Sequence, residues 1–520
     1  MKFLPKDPVA GVVDTEEKGR RNVVFENTNA DQLKRKSVRG GAVTLISQGL
    51  KFVLTTGSTM ILARLLTPED FGLQGMVLAL TGAVGLFSDI GLSMATVQRE
   101  VITHEQTSTL FWINVALGAA LATLVAILAP VLVDFYHEPR LFWMTIASAA
   151  TFLINGIAVQ HSALLVREMR FMTLAKIQIS SLTVSSIVGI AMAALGYGFW
   201  ALIGGMVAAP MVTVIGMWFA VRWIPGMPRR GYGLRSALHF GGTMTLNSLI
   251  IYLGYNVEKI LLGRFCGAAA LGFYGKAYSL VNLPTTQLHS SIYTVAFPAF
   301  SRLQADTQRL CRSFLQVYSA VVSLSIPVTI CCMVFAEELI RIALGPKWSA
   351  SVPIFRLLGP TVLAFGMINP FGWFLISTGR VVRSFKMSLV IAPSVILGIM
   401  LGLHFGPKGV ALAYSAVMML LTFPIIAWAV HGTGITWENL WNVTKQPVFS
   451  GLIAGAAGLA FKIALGGKLP VLASVSLGLG ITLGIYAWML LFVMGQLPLY
   501  MDLLGHLFQR FRVKRDDVAV

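Results

Sequence analysis

The chain has 520 residues, of which 56% are hydrophobic and only 12% are charged, and its mean hydropathy is +0.75. Soluble domains carry about 25% charged residues, so this composition excludes a soluble protein. The formal net charge of +18 could suit a nucleic-acid binder, but basic residues in the cytoplasmic loops of a membrane protein explain it without nucleic acid. The four cysteines show neither paired nor metal-ligand spacing, so we predict no disulfide and no metal site.

The chain begins with a polar tail at residues 1–40. This tail carries a basic cluster of Lys34, Arg35, Lys36 and Arg39, and it lacks the apolar core and the cleavage site of a signal peptide. We therefore predict a cytoplasmic N-terminal tail and expect the first apolar segment to remain in the mature protein.

Fourteen apolar segments follow, each about 19–28 residues long, which is enough to cross a bilayer as a helix. They cover 41–63, 72–97, 108–133, 141–165, 173–195, 199–221, 237–263, 272–299, 312–335, 352–377, 387–405, 409–430, 448–466 and 470–494. An even number puts both termini on one side, and basic loops such as that of Arg229, Arg230 and Arg235 identify this side as the cytoplasm. The predicted fold is an all-α integral membrane protein with about fourteen transmembrane helices and a basic cytoplasmic tail at 495–520.

The first segment carries a polar stripe. Its members are spaced so that they share one helix face, and they are Thr44, Gln48, Lys51, Thr55 and Ser58. Lys51 lies near mid-membrane, where an ionisable side chain costs about 2.5–3.5 kcal/mol. We predict that Lys51 and Gln48 line a substrate cavity, with an ordinary interhelical ion pair as the alternative for Lys51. Asp89 in the second segment is predicted either to pair with Lys51 or to bind a coupling ion.

An internal repeat divides the chain. A shift of 200 residues aligns ILARLLTPEDFGLQG (61–75) with LLGRFCGAAALGFYG (261–275), and a shift of 210 aligns Gly196 with Gly406. Because the repeat contains six segments, both copies enter the membrane in the same orientation. We predict an N-lobe at 41–222, a cytoplasmic linker at 223–236, a C-lobe at 237–430 and two additional helices within 431–494, outside the repeat.

The C-lobe also carries candidate site residues. In the seventh segment, Asn247 and Glu258 lie on a stripe equivalent to that of the first segment. We predict that Asn247 and Asn256 line the substrate cavity, and that Glu258 binds a coupling ion or forms an ion pair. Arg356 in the tenth segment is close enough to the periplasmic edge that a cavity role and snorkelling are both open.

Several loops resemble those of Wzx-type lipid-linked oligosaccharide flippases, the polysaccharide transporters of the multidrug/oligosaccharidyl-lipid/polysaccharide exporter superfamily. The motifs are ILARLLTPEDFGLQGM, FSDIGLSMATVQRE, ILLGRFCGAAALGFYGKAYSLVNLP and ALGPKWSASVPIFRLL, in that order. One departure is Asn256-Val257-Glu258. It resembles an Asn-x-Asp pattern in relatives, but the acidic residue here is glutamate, whose side chain is longer than that of aspartate.

The resemblance implies two six-helix lobes around a central cavity in a bacterial inner membrane. It also implies that undecaprenyl-pyrophosphate-linked repeat units cross from the cytoplasmic to the periplasmic leaflet by alternating access. The pathway would be exopolysaccharide, capsule, or O-antigen (lipopolysaccharide) assembly, with membrane lipid, a polysaccharide polymerase and chain-length machinery as partners. Cations would compensate the pyrophosphate. The sugars would meet amide and aromatic side chains, for most of which a hydrogen bond between helices is the alternative role; these are Asn114, Asn155, Gln178, Asn282, Asn369 and Trp373.

Two other functions are weighed against this one. A drug or cation antiporter of the same superfamily should lack the TPEDFG-like and GPKW-like loops and the two additional helices. A membrane glycan polymerase or glycosyltransferase should carry a large periplasmic loop, and the longest one predicted here, 336–351, is too short. The sequence has no P-loop, HExxH or GxSxG motif, so we predict a transporter without enzymatic activity or cofactor.

Overall fold

The structure, a computed structural model, describes residues 30–88, 93, 96–97, 102–228, 234–466, 468–498 and 500–501. Its helices are α1 (Ala30–Leu65), α2 (Pro68–Gly85), α3 (His104–Tyr136), α4 (Leu141–Arg167), α5 (Phe171–Ala194), α6 (Trp200–Val221), α7 (Leu234–Arg302), α8 (Thr307–Val334), α9 (Ala336–Ala343), α10 (Ser351–Leu358), α11 (Pro360–Ser377), α12 (Val381–Gly402), α13 (Gly406–Val430), α14 (Trp437–Leu465) and α15 (Val471–Trp488). Short 3₁₀ turns lie at Pro346–Trp348 and Leu403–Phe405, and a π-helical turn at Met489–Val493 ends α15.

Nine helical stretches within the described residues are long and apolar enough to cross a membrane. They are His104–Tyr136, Leu141–Arg167, Phe171–Ala194, Trp200–Val221, Thr307–Val334, Ser351–Ser377, Val381–Val430, Trp437–Leu465 and Val471–Val493. The prediction of a multi-pass, all-α membrane protein is therefore confirmed. The helices α1, α2 and α7, which overlap the predicted segments at 41–63, 72–97, 237–263 and 272–299, are not among the nine. The count of fourteen crossings stays a prediction.

Side-chain caps fix where several helices begin. In the TPED motif, the Thr67 amide donates to Asp70 Oδ2 at 2.8 Å, and the Asp70 amide donates to Thr67 Oγ1 at 3.3 Å. Pro68 occupies the first helical position of α2, where its missing N–H costs nothing. Thr103 and Gln106 form the same reciprocal pair at the start of α3. The TPED motif therefore encodes a helix start.

The described chain forms two compact units, and the first comprises residues up to Leu65 together with Val77–Leu253. Within it, small residues let helix pairs approach closely. A Cβ on Gly118 of α3 would lie 2.6 Å from the Phe152 carbonyl oxygen on α4, and Ser185 of α5 donates to the Gly205 carbonyl of α6 at 2.7 Å. This packing through glycine and serine is typical of membrane helices, whose association has no hydrophobic driving force.

The second unit comprises Leu66–Met76 and the chain from Gly254 onward. Its tightest crossing joins the start of α2 to α7 beyond the break at Gly267, where φ is 82°. A Cβ on Gly72 would collide with the carbonyl oxygen of Ala268, and a Cβ on Gly272 would collide with that of Pro68. The two contacts are related by the 200-residue shift of the repeat, as in an isologous interface. This reciprocity is what a duplication would produce, and the division into two six-helix lobes stays a prediction.

An aromatic cluster forms beside this crossing. Trp348 is fully buried, with its ring centroid 5.5 Å from that of Phe71 and 6.0 Å from that of Phe273. Ser351 at the start of α10 donates to the Phe273 carbonyl at 2.9 Å. Three motifs that are far apart in sequence (TPEDFG, GFYGK and GPKW) therefore pack together in the second unit.

The last two helices are anchored to the second unit by polar contacts. Lys462 of α14 forms an ion pair with Glu338 of α9 at 2.8 Å and also donates to the Val334 carbonyl at 2.8 Å. The Tyr486 hydroxyl of α15 donates to the Ser323 carbonyl of α8 at 2.7 Å. Helices α14 and α15 are therefore an integral part of this unit.

Candidate functional site

Lys51 of α1 is half-buried, and its ammonium group donates a hydrogen bond to Gln178 Oε1 of α5. The sequence analysis predicted Lys51 as a cavity residue and Gln178 as a sugar contact, and the structure shows that the two side chains are in contact. Gln48, one turn earlier, is exposed. Asp89, the alternative partner predicted for Lys51, lies outside the described residues. Within the described part of the chain, no carboxylate forms a salt bridge with Lys51, and the group that accepts its hydrogen bond is the neutral amide of Gln178.

A second cluster surrounds Glu258 in the second unit. Glu258 is only 2% exposed, and its Oε1 is buried without a hydrogen-bond partner among the described residues. The Tyr274 hydroxyl is likewise buried and unpartnered within that part of the chain. The carboxylate lies close enough to interact electrostatically with the phenols of Tyr274 and Tyr414 and with the ammonium of Lys259.

Further aromatic and amide contacts complete the Glu258 cluster. The Tyr274 and Tyr278 rings stack with centroids 6.0 Å apart, and the Tyr278 hydroxyl lies 3.4 Å from that of Tyr414. Lys259 Nζ donates to Asn256 Oδ1 at 2.7 Å, so Asn256 contacts the cation adjacent to the acid. Burying an ionised carboxylate is costly unless it is paired and hydrogen-bonded. The cluster can therefore hold Glu258 as a neutral acid or as a carboxylate that accompanies a cation.

The sequence reasoning missed the tyrosines. Tyr274 and Tyr278 are one helical turn apart within GFYGKAYS. This i, i+4 spacing places both phenols on one helix face, and it was the sequence pattern that could have indicated a shared site. Tyr414 comes from α13, more than a hundred residues further along the chain, and no local pattern connects it to Glu258.

The remaining predicted site residues have other surroundings. Arg356 is exposed, and its Nε donates to the Met333 carbonyl near the end of α8 at 3.2 Å, as a helix-capping cation does. For Asn247 the structure describes the helical backbone but not the side chain. The cavity roles of both residues stay predictions. Lys276, which the sequence analysis did not single out as a site residue, has its Nζ 3.9 Å from the centroid of the Phe71 ring.

A cavity of about 740 Å³ opens within the first unit between α2, α4 and α6. Asn155, one of the amides predicted to meet sugar, lies on its wall and is exposed. Asn114, another predicted sugar contact, is instead fully buried and lies 3.5 Å from Gln160 Oε1, so it acts between helices.

Comparisons with known proteins agree with this architecture. The family described as "Polysaccharide biosynthesis protein" matches residues 61–353. The chain is 27% identical over 400 residues to the lipopolysaccharide biosynthesis protein WzxC of Escherichia coli K12, covering 75% of this chain and 80% of that protein. It is 30% identical over 305 residues to the teichuronic acid biosynthesis protein TuaB of Bacillus subtilis, covering 56% of this chain and 61% of that protein.

Among solved structures, the fold is similar to that of lipid II flippase MurJ in an inward closed conformation. The TM-score is 0.66, the sequence identity is 12%, and the match covers 86% of this chain and 98% of that one. At this identity the likeness concerns the fold alone.

Proposed function

Because the chain belongs to the polysaccharide biosynthesis protein family, we propose that it is a flippase that moves lipid-linked oligosaccharides across the bacterial inner membrane. The match to residues 61–353 is the observation that carries this proposal, and the fold shared with a lipid II flippase supports it. The cargo is an undecaprenyl-pyrophosphate-linked repeat unit, and transfer runs from the cytoplasmic to the periplasmic leaflet. Fourteen crossings in two six-helix lobes plus two helices, with alternating access, complete the proposal.

Lys51 is the residue we propose to meet the pyrophosphate. A pyrophosphate in a region of low dielectric needs compensating positive charge. The contact between Lys51 and the neutral amide of Gln178 orients the ammonium group without neutralising it. An anionic headgroup can therefore replace or join Gln178 as the partner of Lys51.

Removing the gene from its host tests the proposal. Lipid-linked repeat units should accumulate, and surface polysaccharide should fall to background and return when the gene is restored. The accumulated units should resist a glycosidase added to intact spheroplasts and become sensitive after lysis. Unchanged polysaccharide together with altered drug susceptibility would instead favour the antiporter alternative.

The orientation of the chain gives a second test. The positive-inside bias predicts that reporter fusions at residues 137, 268 and 345 report the periplasm, and that fusions at 230, 305 and 382 report the cytoplasm. Alkaline phosphatase and green fluorescent protein fusions measure the two locations. Reversal at two or more of the six positions would contradict the proposed topology.

Glu258 is the residue we propose for ion coupling, because its buried acid can exchange a proton or a cation. Glu258→Gln keeps the shape but cannot release a proton, so it should reduce export to near background while membrane abundance stays normal. Glu258→Asp should retain export. Surface polysaccharide and immunoblots of membranes measure the two effects.

Glu438→Gln, at an exposed glutamate in the first turn of α14, is the matched control and should change neither quantity. If Glu258 only forms an ion pair with Lys259, Glu258→Gln should lower abundance, and adding Lys259→Gln should restore it. That outcome would contradict the coupling role.

A further inference from the structure

In the part of the chain that the structure describes, the cavity in the first unit is lined by apolar and uncharged polar residues. The polar lining comes from Ser88, which lies just after α2, from Asn155 and Ser162 of α4, and from a few further hydroxyl groups. Among the lining residues that the structure describes there is no Asp, Glu, Lys, Arg or His. At about 740 Å³, its volume falls within the roughly 300–1,000 Å³ typical of small-molecule sites.

Some of the lining hydroxyls are already engaged by their own helices. Thr81 donates to the Val77 carbonyl at 2.9 Å, and Thr151 donates to the Ser148 carbonyl at 2.6 Å. Asn155 and Ser162, in contrast, make no side-chain hydrogen bond to any described residue, although both line the cavity. They are two helical turns apart on α4 and therefore share one face. This face offers one amide and one hydroxyl to a ligand.

The rest of the lining is apolar and includes Phe152, Met206 and Met217. Among the described lining residues a pyrophosphate would find no cation and a cationic drug would find no carboxylate, so these residues would not compensate either ligand for its lost hydration. A sugar ring differs from both, because its hydroxyl edges hydrogen-bond while its C–H faces pack against aromatic and thioether groups. The lining is complementary to such a ligand.

We propose that this cavity binds an uncharged sugar of the lipid-linked glycan, with Asn155 and Ser162 as its hydrogen-bonding residues. The inference rests on the proposed function and adds that the sugar and the diphosphate of the same lipid-linked glycan are bound by different residues. The glycan is recognised inside the first unit, whereas the diphosphate is compensated by Lys51.

Thiol labelling tests whether sugar enters the cavity. Val159→Cys, at an apolar lining residue on α4 between Asn155 and Ser162, is made in a chain whose four native cysteines are replaced by serine or alanine, and its reaction with a maleimide is followed in membranes. Three host strains supply the probes: the first lacks prenyl-linked sugar, the second stops after the first sugar, and the third completes the repeat unit. Tyr197→Cys, at a residue 57% exposed outside the cavity, is the control.

Sugar binding predicts that Val159→Cys reacts about threefold more slowly in the second and third strains, as expected when ligand is present at about twice its Kd. Tyr197→Cys should react equally in all three. Equal rates at position 159 in all strains would overturn the sugar site. The proposed function would still stand if the wild-type gene restored export.

Export by side-chain variants supplies a second readout. Asn155→Leu and Ser162→Ala should lower export severalfold, whereas Thr123→Val should not, because Thr123 is not among the residues that line the cavity and its hydroxyl donates to the Ala119 carbonyl of its own helix. Normal export by both Asn155→Leu and Ser162→Ala would also overturn the proposal.

Discussion

Lys51→Ala is expected to reduce surface polysaccharide to background while the protein accumulates normally in the membrane. The variant removes a half-buried ammonium group whose contact in the described chain is the neutral amide of Gln178. Without this charge, a pyrophosphate entering the same region loses its compensation. Polysaccharide assays and membrane immunoblots, run on the same cultures, separate loss of transport from loss of protein.

Matched variants sharpen the test of Lys51. Lys51→Arg keeps the charge and should retain partial export, and Gln178→Ala should be milder than Lys51→Ala. Lys176→Ala, at an exposed lysine two residues before Gln178, should have no effect.

The structural alternative for Lys51 is an ion pair with Asp89, and it makes a different prediction. Loss of Lys51 would then strand a buried carboxylate and lower protein abundance, and Lys51→Ala with Asp89→Ala would restore it. Normal export by Lys51→Ala alone would contradict both accounts.

Sequence patterns predicted the elements whose cause is local. Apolar runs located the long helices because a bilayer sets their length. The repeat was visible because Gly72 and Gly272 are kept at equivalent positions, and the structure shows why each must be glycine. The TPED motif entered the sequence analysis only through the repeat and the family resemblance, and the structure shows that it also caps a helix with residues adjacent in sequence.

Contacts between distant helices were not predictable in the same way. The Lys51–Gln178 hydrogen bond joins residues 127 positions apart, and polar periodicity alone could not identify Gln178 as a partner of Lys51. Tyr414 contacts Tyr278 from another helix. No local sequence pattern could therefore predict that the Glu258 cluster is buried. The 740 Å³ cavity depends on how α2, α4 and α6 pack, which composition does not specify.

Gly272→Val is expected to prevent stable folding of the second unit. A Cβ at this position collides with the Pro68 carbonyl, which is backbone and cannot rotate away as a flexible side chain could. Overpacking of this kind usually costs about 1–3 kcal/mol and occasionally more, and an obstruction by rigid backbone belongs at the upper end of that range. Membrane abundance and the midpoint of thermal unfolding in detergent measure the effect.

Gly275 provides the matched control, because a Cβ there meets no atom within 4 Å. Gly275→Ala should behave like the wild type, whereas Gly272→Ala should already lower the unfolding midpoint. Equal midpoints for Gly272→Ala and Gly275→Ala would contradict the close crossing.

The two reciprocal contacts of the crossing allow a stricter test. Gly72→Ala and Gly272→Ala insert a methyl group against the same pair of helices from opposite sides, at Ala268 and at Pro68. If the contact is isologous, the two variants should be destabilised by similar amounts. The double variant should be destabilised by less than their sum, because separating the helices for one methyl group also makes room for the other. Strictly additive effects would mean that the two glycines relax independently, and the pseudo-symmetric crossing would then be wrong.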